Sequence, residues 1–157
     1  MQSNVNDHFR ALVDKLPTLM FQLSNAQLRL WSDLGEIPIK GIYVFYEDNV
    51  PIYVGRTNRM RKRIKEHGES SSGHNQAPFA FNIAKKEAIA LGIEVTVPRN
   101  VLKQSTEFIE LFLNAKRRIS NMSVRAVKVD DPIIQTIFEV YASMELMTQE
   151  YNNFDNH

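Results

Sequence analysis

The chain has 157 residues, 43% of them hydrophobic and 24% charged, and no cysteine. That length suits one domain able to bury a core without covalent staples, and the missing thiols exclude disulfides, thiolate zinc sites and a cysteine nucleophile. A net charge of +1 lacks the bulk basic excess common in nucleic-acid binders.

The distribution of charge says more than the sum. Arg56, Arg59, Arg61, Lys62, Arg63 and Lys65 fall within ten positions, and Lys116-Arg117-Arg118 form a second cluster. Such runs are either solvated helix faces or phosphate-binding surfaces. The first eight residues are polar, without an apolar core of the kind a signal peptide needs, and no apolar run is long enough to span a bilayer, so the cytoplasm is the expected compartment.

In chain order, Phe9, Leu12, Val13 and Leu16 recur at helical spacing up to Pro17, and Leu19 to Leu34 also reads as helix. Gly35 and Pro38 mark a stop. Residues 1–36 are thus expected to form an N-terminal helical appendage. Gly41 to Tyr46 and Pro51 to Gly55 are short β-branched and aromatic runs separated by Glu47-Asp48-Asn49, the pattern of an antiparallel hairpin. A helix capped by Thr57 or Asn58 should follow and end at Gly68. The loop Glu69 to Gln76 comes next, then a helix from Pro78 to Leu91. Ile93 to Val97 alternates like a strand. Ser105 to Ile119 is an amphipathic helix, and Val124 to Val129 alternates as a strand. Asp130 or Asp131 should cap a last helix with Ile133, Ile137, Val140 and Tyr141 facing inward.

Gly41-Ile42-Tyr43, then Tyr53-Val54-Gly55, Thr57, Met60, Arg63 and His67, form an ordered run over about a sixth of the chain. This run resembles the paired tripeptides and following helix of the GIY-YIG nucleases. The resemblance implies an α/β (α+β) fold: a small antiparallel sheet flanked by helices. Residues 37–157 would form the catalytic domain, with an extended helical region around 69–120. It further implies a glutamate on a later helix and an asparagine after it. Glu139 and Asn152 fit best, with Glu145 and Asn153 as competitors.

The chemistry of these residue types agrees with that assignment. Phosphodiester hydrolysis needs an activated water, countercharge for the developing phosphorane and help for the leaving oxygen. Glu139 is a hard oxygen ligand suited to Mg²⁺ (or Mn²⁺), which keeps most of its waters. Arg63 offers a planar donor fork matched to phosphate oxygens, and His67 lies one turn on. The resemblance makes Tyr43 the general base, its phenolate favoured by arginine and metal, with Tyr53 bonding water or phosphate; the sequence does not say which tyrosine takes the proton. Arg56, Arg59, Arg61 and Lys62 are expected to contact the DNA backbone.

The expected activity is therefore metal-dependent cleavage of DNA. A silent DNA-binding module and a structural or regulatory protein are the alternatives. The family includes homing endonucleases, restriction enzymes and the bacterial excision-repair nuclease. With little chain outside the catalytic core, specificity would be low, supplied by a homodimer, or read by the inserted helices. His74, in a Ser-rich loop, has a weaker case for touching phosphate, and His8 and His157 have none.

Overall fold

A computed structural model describes residues 4–154; His157 lies outside them. Four strands form one antiparallel sheet in the order β1-β4-β2-β3. They are β1 (Arg29–Leu30), β2 (Gly41–Glu47), β3 (Val50–Thr57) and β4 (Ser123–Lys128). Among the described residues seven helices surround them: α1 (Val5–Val13), α2 (Leu16–Ser24), α3 (Met60–Gly68), α4 (Pro78–Ala90), α5 (Arg99–Leu102), α6 (Thr106–Ser120) and α7 (Pro132–Leu146).

The central strand explains the double-sided architecture. Residues Gly41 through Tyr46 are all buried, as a strand covered on both faces requires. Because successive side chains alternate, Tyr43 and Phe45 enter one core with Ile64, Phe79, Phe81, Phe108 and Ile119. Ile42, Val44 and Tyr46 enter a second core with Leu16, Leu23, Ile134, Phe138 and Ala142. The hairpin from β2 to β3 turns on Asp48 and Asn49, at φ 52° and 67°, a two-residue turn with both central residues left-handed, matching sheet twist. Gly41 is required at φ 151°, where a Cβ would lie 1.9 Å from the Val127 carbonyl oxygen.

Several sequence expectations are corrected. No helix spans Leu19 to Leu34: α2 ends at Ser24, and Arg29–Leu30 instead pairs with β4. The Trp31 amide completes that edge by donating to Met122 O at 3.1 Å. Long-range pairing thus overrides local helical periodicity. Residues 16 to 34 contribute Leu16 and Leu23 to one core and Leu34 to the other. Ile93 to Val97 is not a strand, although Ile93, Val95 and Val97 pack against the core; with no neighbouring strand among the described residues to pair with, apolar alternation alone does not make a ladder. Neither Thr57 nor Asn58 is the N-cap of α3. Arg59 holds that position, and Thr57 Oγ1 accepts from its amide at 2.9 Å. On α7, Asp131 is the cap. Ile137 and Tyr141 pack against the core as expected, beside the buried Ile134, Phe138 and Ala142, while Ile133 and Val140 are exposed.

Candidate active site

The paired motif strands set the floor of the site. Tyr43 pairs directly with Gly55 across the hairpin. A Cβ on Gly55 would stand 2.2 Å from Tyr43 Cζ and 2.3 Å from its hydroxyl, so the second tripeptide needs glycine to admit the tyrosine of the first. Helix α3 packs over this ring and delivers His67, whose Nε2 is 2.7 Å from the Tyr43 hydroxyl. Tyr53 lies 5.4 Å from the His67 ring and 6.5 Å from Tyr43, centroid to centroid, and stacks on Phe79 of α4 at 4.4 Å.

Burial controls the electrostatics here. Loss of water pushes the Tyr43 phenol well above 10, helped by Tyr53 and Glu139 and opposed by the Arg63 charge. The same effect pushes Tyr53 up to about 12, again against Arg63. The expected bias toward phenolate is therefore reversed within the protein itself: Arg63 does not offset the cost of desolvation. Burial, then Arg63, also hold His67 well below its ordinary value of 6.5, so the imidazole is neutral. Its Nδ1 is buried without a hydrogen-bond partner among the described residues.

Arg63 lies beside the tyrosines and is part-buried, with 20% of its side chain exposed. One guanidinium nitrogen donates to Glu66 Oε2 at 3.2 Å and to the Gln76 carbonyl at 2.7 Å. Glu139, from α7, comes from the opposite side of the sheet edge, and its field reaches both tyrosines. Its carboxyl pKa is raised by burial and partly restored by Arg56, whose Nε is 3.5 Å from Oε2. Glu145, the competing carboxylate, is exposed on the same helix.

Asn152 lies beside the site, hydrogen-bonded to the strand that carries Tyr53. Its amide mimics a fifth strand at the free edge of β3: Oδ1 accepts from Val54 N at 2.9 Å, and Nδ2 donates to Val54 O at 2.6 Å. Thr148 Oγ1 donates to the same Oδ1 at 2.8 Å and contacts Ser143 Oγ at 2.9 Å. This buried chain ties α7, which carries Glu139, to the strand that carries Tyr53.

The remaining basic residues divide. Arg59 lies 3.9 Å from Glu66, and Arg61 donates to the Gly35 carbonyl. Arg61, Lys62, Lys65, Glu66, Ser72 and Gln76 line a groove of about 510 Å³ between α3 and the following loop. His74 sits in that loop against Phe81, outside the tyrosine cluster. Lys116-Arg117-Arg118 is not one surface. Lys116 is buried, Arg117 is exposed, and Arg118 binds Glu47 through two 2.7 Å hydrogen bonds.

Residues 39–96 match the family model of the GIY-YIG catalytic domain. The matched segment is similar to a GIY-YIG catalytic domain. The match supports membership of the GIY-YIG nuclease superfamily and covers β2, β3, α3 and α4, the elements that hold Tyr43, Tyr53, Arg63 and His67. Glu139 and Asn152 lie beyond the matched segment. No curated protein and no solved structure matches the chain.

Two members of this site escape sequence reasoning. Glu66 had a signal, since an acid three residues after an arginine on a helix is an ion-pair spacing. Gln76 had none, because it acts through its backbone carbonyl.

GIY-YIG nucleases generally use a divalent cation. Among the described residues no cluster of three or more His, Cys, Asp or Glu forms a ligand cage. The donor set instead offers one part-buried carboxylate, Glu139, with 22% of its side chain exposed. That fits a hard cation held by a single carboxylate together with waters and substrate phosphate.

Proposed function

We propose that the protein is a divalent-metal-dependent endonuclease that hydrolyses phosphodiester bonds in DNA. The observation that carries this reading is the convergence of Tyr43, Tyr53 and His67 into one contact cluster beside Arg63, with the Glu139 charge acting on both phenols.

In this reading the scissile phosphate seats against Arg63, whose fork of donors neutralises charge building on the equatorial oxygens. The water oxygen forms its bond to phosphorus as the phosphorus–oxygen bond to the leaving strand breaks. Tyr43 takes the water proton. Its phenol need not ionise in advance: with the imidazole proton on Nδ1, His67 Nε2 stands 2.7 Å away to accept the hydroxyl proton. A phosphodiester bound at Arg63 would offset the Arg63 charge that, after burial, keeps the imidazole neutral, and so would favour its protonated form. Tyr53 orients the water or a phosphate oxygen. Glu139 would hold Mg²⁺ or Mn²⁺, which when bound supplies Lewis-acid stabilisation of the leaving oxygen. Arg56, Arg59, Arg61 and Lys62 contact the flanking backbone.

The test is supercoiled-plasmid nicking with Mg²⁺ by the wild type, Glu139→Ala and Arg63→Ala, each first shown to be folded by thermal melts. Loss of one preorganised electrostatic group typically lowers the chemical rate by about a hundred- to a thousandfold. Glu139→Ala should abolish cleavage yet leave DNA affinity intact without metal. Folded variants that cut at the wild-type rate would remove the reading. A salt-dependent DNA shift with no cleavage by the wild type would replace it with that of a silent binding module.

A further inference from the structure

Arg63 is fixed from two directions. On its own helix it pairs with Glu66 at 3.2 Å, and across the groove it donates to the Gln76 carbonyl at 2.7 Å. That carbonyl belongs to the irregular segment Glu69 to Ala77 that joins α3 to α4. A Ser- and Gly-containing loop has little of its own to hold a carbonyl in place. Here Gly73 N donates to Gln76 Oε1 at 2.9 Å, closing the turn. From helix α6, Lys116 Nζ donates to both Ser70 O and Ser72 O at 2.7 Å. Lys116 is only 5% exposed and its Nζ stands 4.3 Å from the centre of the Phe112 ring. No ion pair among the described residues involves it. A buried ammonium is costly unless its donors are satisfied, and here two loop carbonyls and a ring face satisfy it. Packing alone would be served by methionine at this position without that cost.

We infer that Lys116 is a positioning residue of the active site, pinning the loop whose Gln76 carbonyl holds the Arg63 guanidinium. Its effect on rate rests on the nuclease reading; its effect on Arg63 does not. The experiment uses Lys116→Met in the full chain. Side-chain nitrogen relaxation should show Arg63 Nε–H gaining motion, while Arg118 Nε–H, tied to Glu47, stays rigid. Single-turnover cleavage should fall by about ten- to a hundredfold, the scale of a misplaced catalytic group, with DNA affinity in the absence of divalent ions unchanged. Added to Arg63→Ala, Lys116→Met should cost nothing further. An unchanged Arg63 order parameter, or the full rate loss persisting without Arg63, would overturn the inference. If the wild type cuts no DNA, the nuclease reading fails and the relaxation result still decides. Should Lys116→Met not fold, Gln76→Ala removes the acceptor of Gly73 N from an exposed side chain. It should loosen Arg63 in the same direction by a smaller amount, and no loosening would count against the inference.

Discussion

Glu139 and Arg56 face each other at 3.5 Å, so the carboxylate proposed to hold the divalent ion already has a cationic neighbour in the free protein. Burial raises the Glu139 pKa and Arg56 pulls it back down. Glu139 must be ionised to act as a ligand, so the acid limb of kcat/KM, which reports the free enzyme, should lie above the ordinary carboxylate range. Arg56→Ala removes the opposing charge and should move that limb to higher pH. Cleavage measured across pH 5 to 8 checks this, and a limb that stays put or moves to lower pH would rule it out.

DNA binding should be steeply salt-dependent. Arg61 donates to Gly35 and Lys65 to Trp31, so substituting either would also disturb how the N-terminal segment docks. Among the described residues Arg59 and Lys62 make no such contact with that segment, the Arg59 side chain reaching only Glu66, at 3.9 Å. Arg59→Gln with Lys62→Gln should weaken binding to all sequences alike. The slope of log K against log salt should flatten by about 0.9 for each phosphate that is no longer neutralised. Fluorescence anisotropy over a salt series reads the slope; an unchanged value would show these two residues to be merely solvated.

Asn152→Ala should behave as a fold variant first. It removes both partners of Val54 on the free edge of β3 and leaves Thr148 without its acceptor. Stranded buried polar groups cost about 1 to 3 kcal/mol each, and water at the edge will recover part of that. A net loss of about 2 to 3 kcal/mol in urea unfolding is expected. A loss under about 0.5 kcal/mol, the level of an ordinary surface change, would contradict the edge-mimic role.

His67 gives stability an acid dependence of predictable sign. Its folded pKa is depressed below 6.5 by burial. Above that value neither state binds the proton, and the stability contribution is fully present. As pH falls below it, the unfolded chain takes up a proton that the folded state refuses, so stability declines until the folded pKa is reached. His67→Phe should be less stable than the wild type at pH 8, having lost the Tyr43 hydrogen bond, yet lose less on acidification. Melting temperatures from pH 8 to 5 should therefore converge; parallel curves would exclude this account.

The hairpin and the side chains it brings together were legible in the sequence because they are local. Turn residues Asp48 and Asn49, the alternating run from Ile42 to Tyr46, and the spacing from Gly41 to His67 all lie within 27 consecutive residues. A strand, a tight turn and a helix fix the relative positions of side chains over such a distance. The same holds for Asp131 as the cap of α7 and for the β4 alternation.

Everything set by pairings far apart in the chain needed the tertiary structure. Arg29–Leu30 is a strand only because β4 supplies its partner, and Ile93 to Val97 is not one because nothing among the described residues does. Arg118 and Lys116 are neighbouring basic residues whose opposite fates depend on Glu47 and on the carbonyls of Ser70 and Ser72. Spacing located Tyr43, while its resistance to ionisation follows from how completely the packed core and the α3 helix exclude water around it. Desolvation is a property of the whole packed neighbourhood, and no short stretch of sequence encodes it.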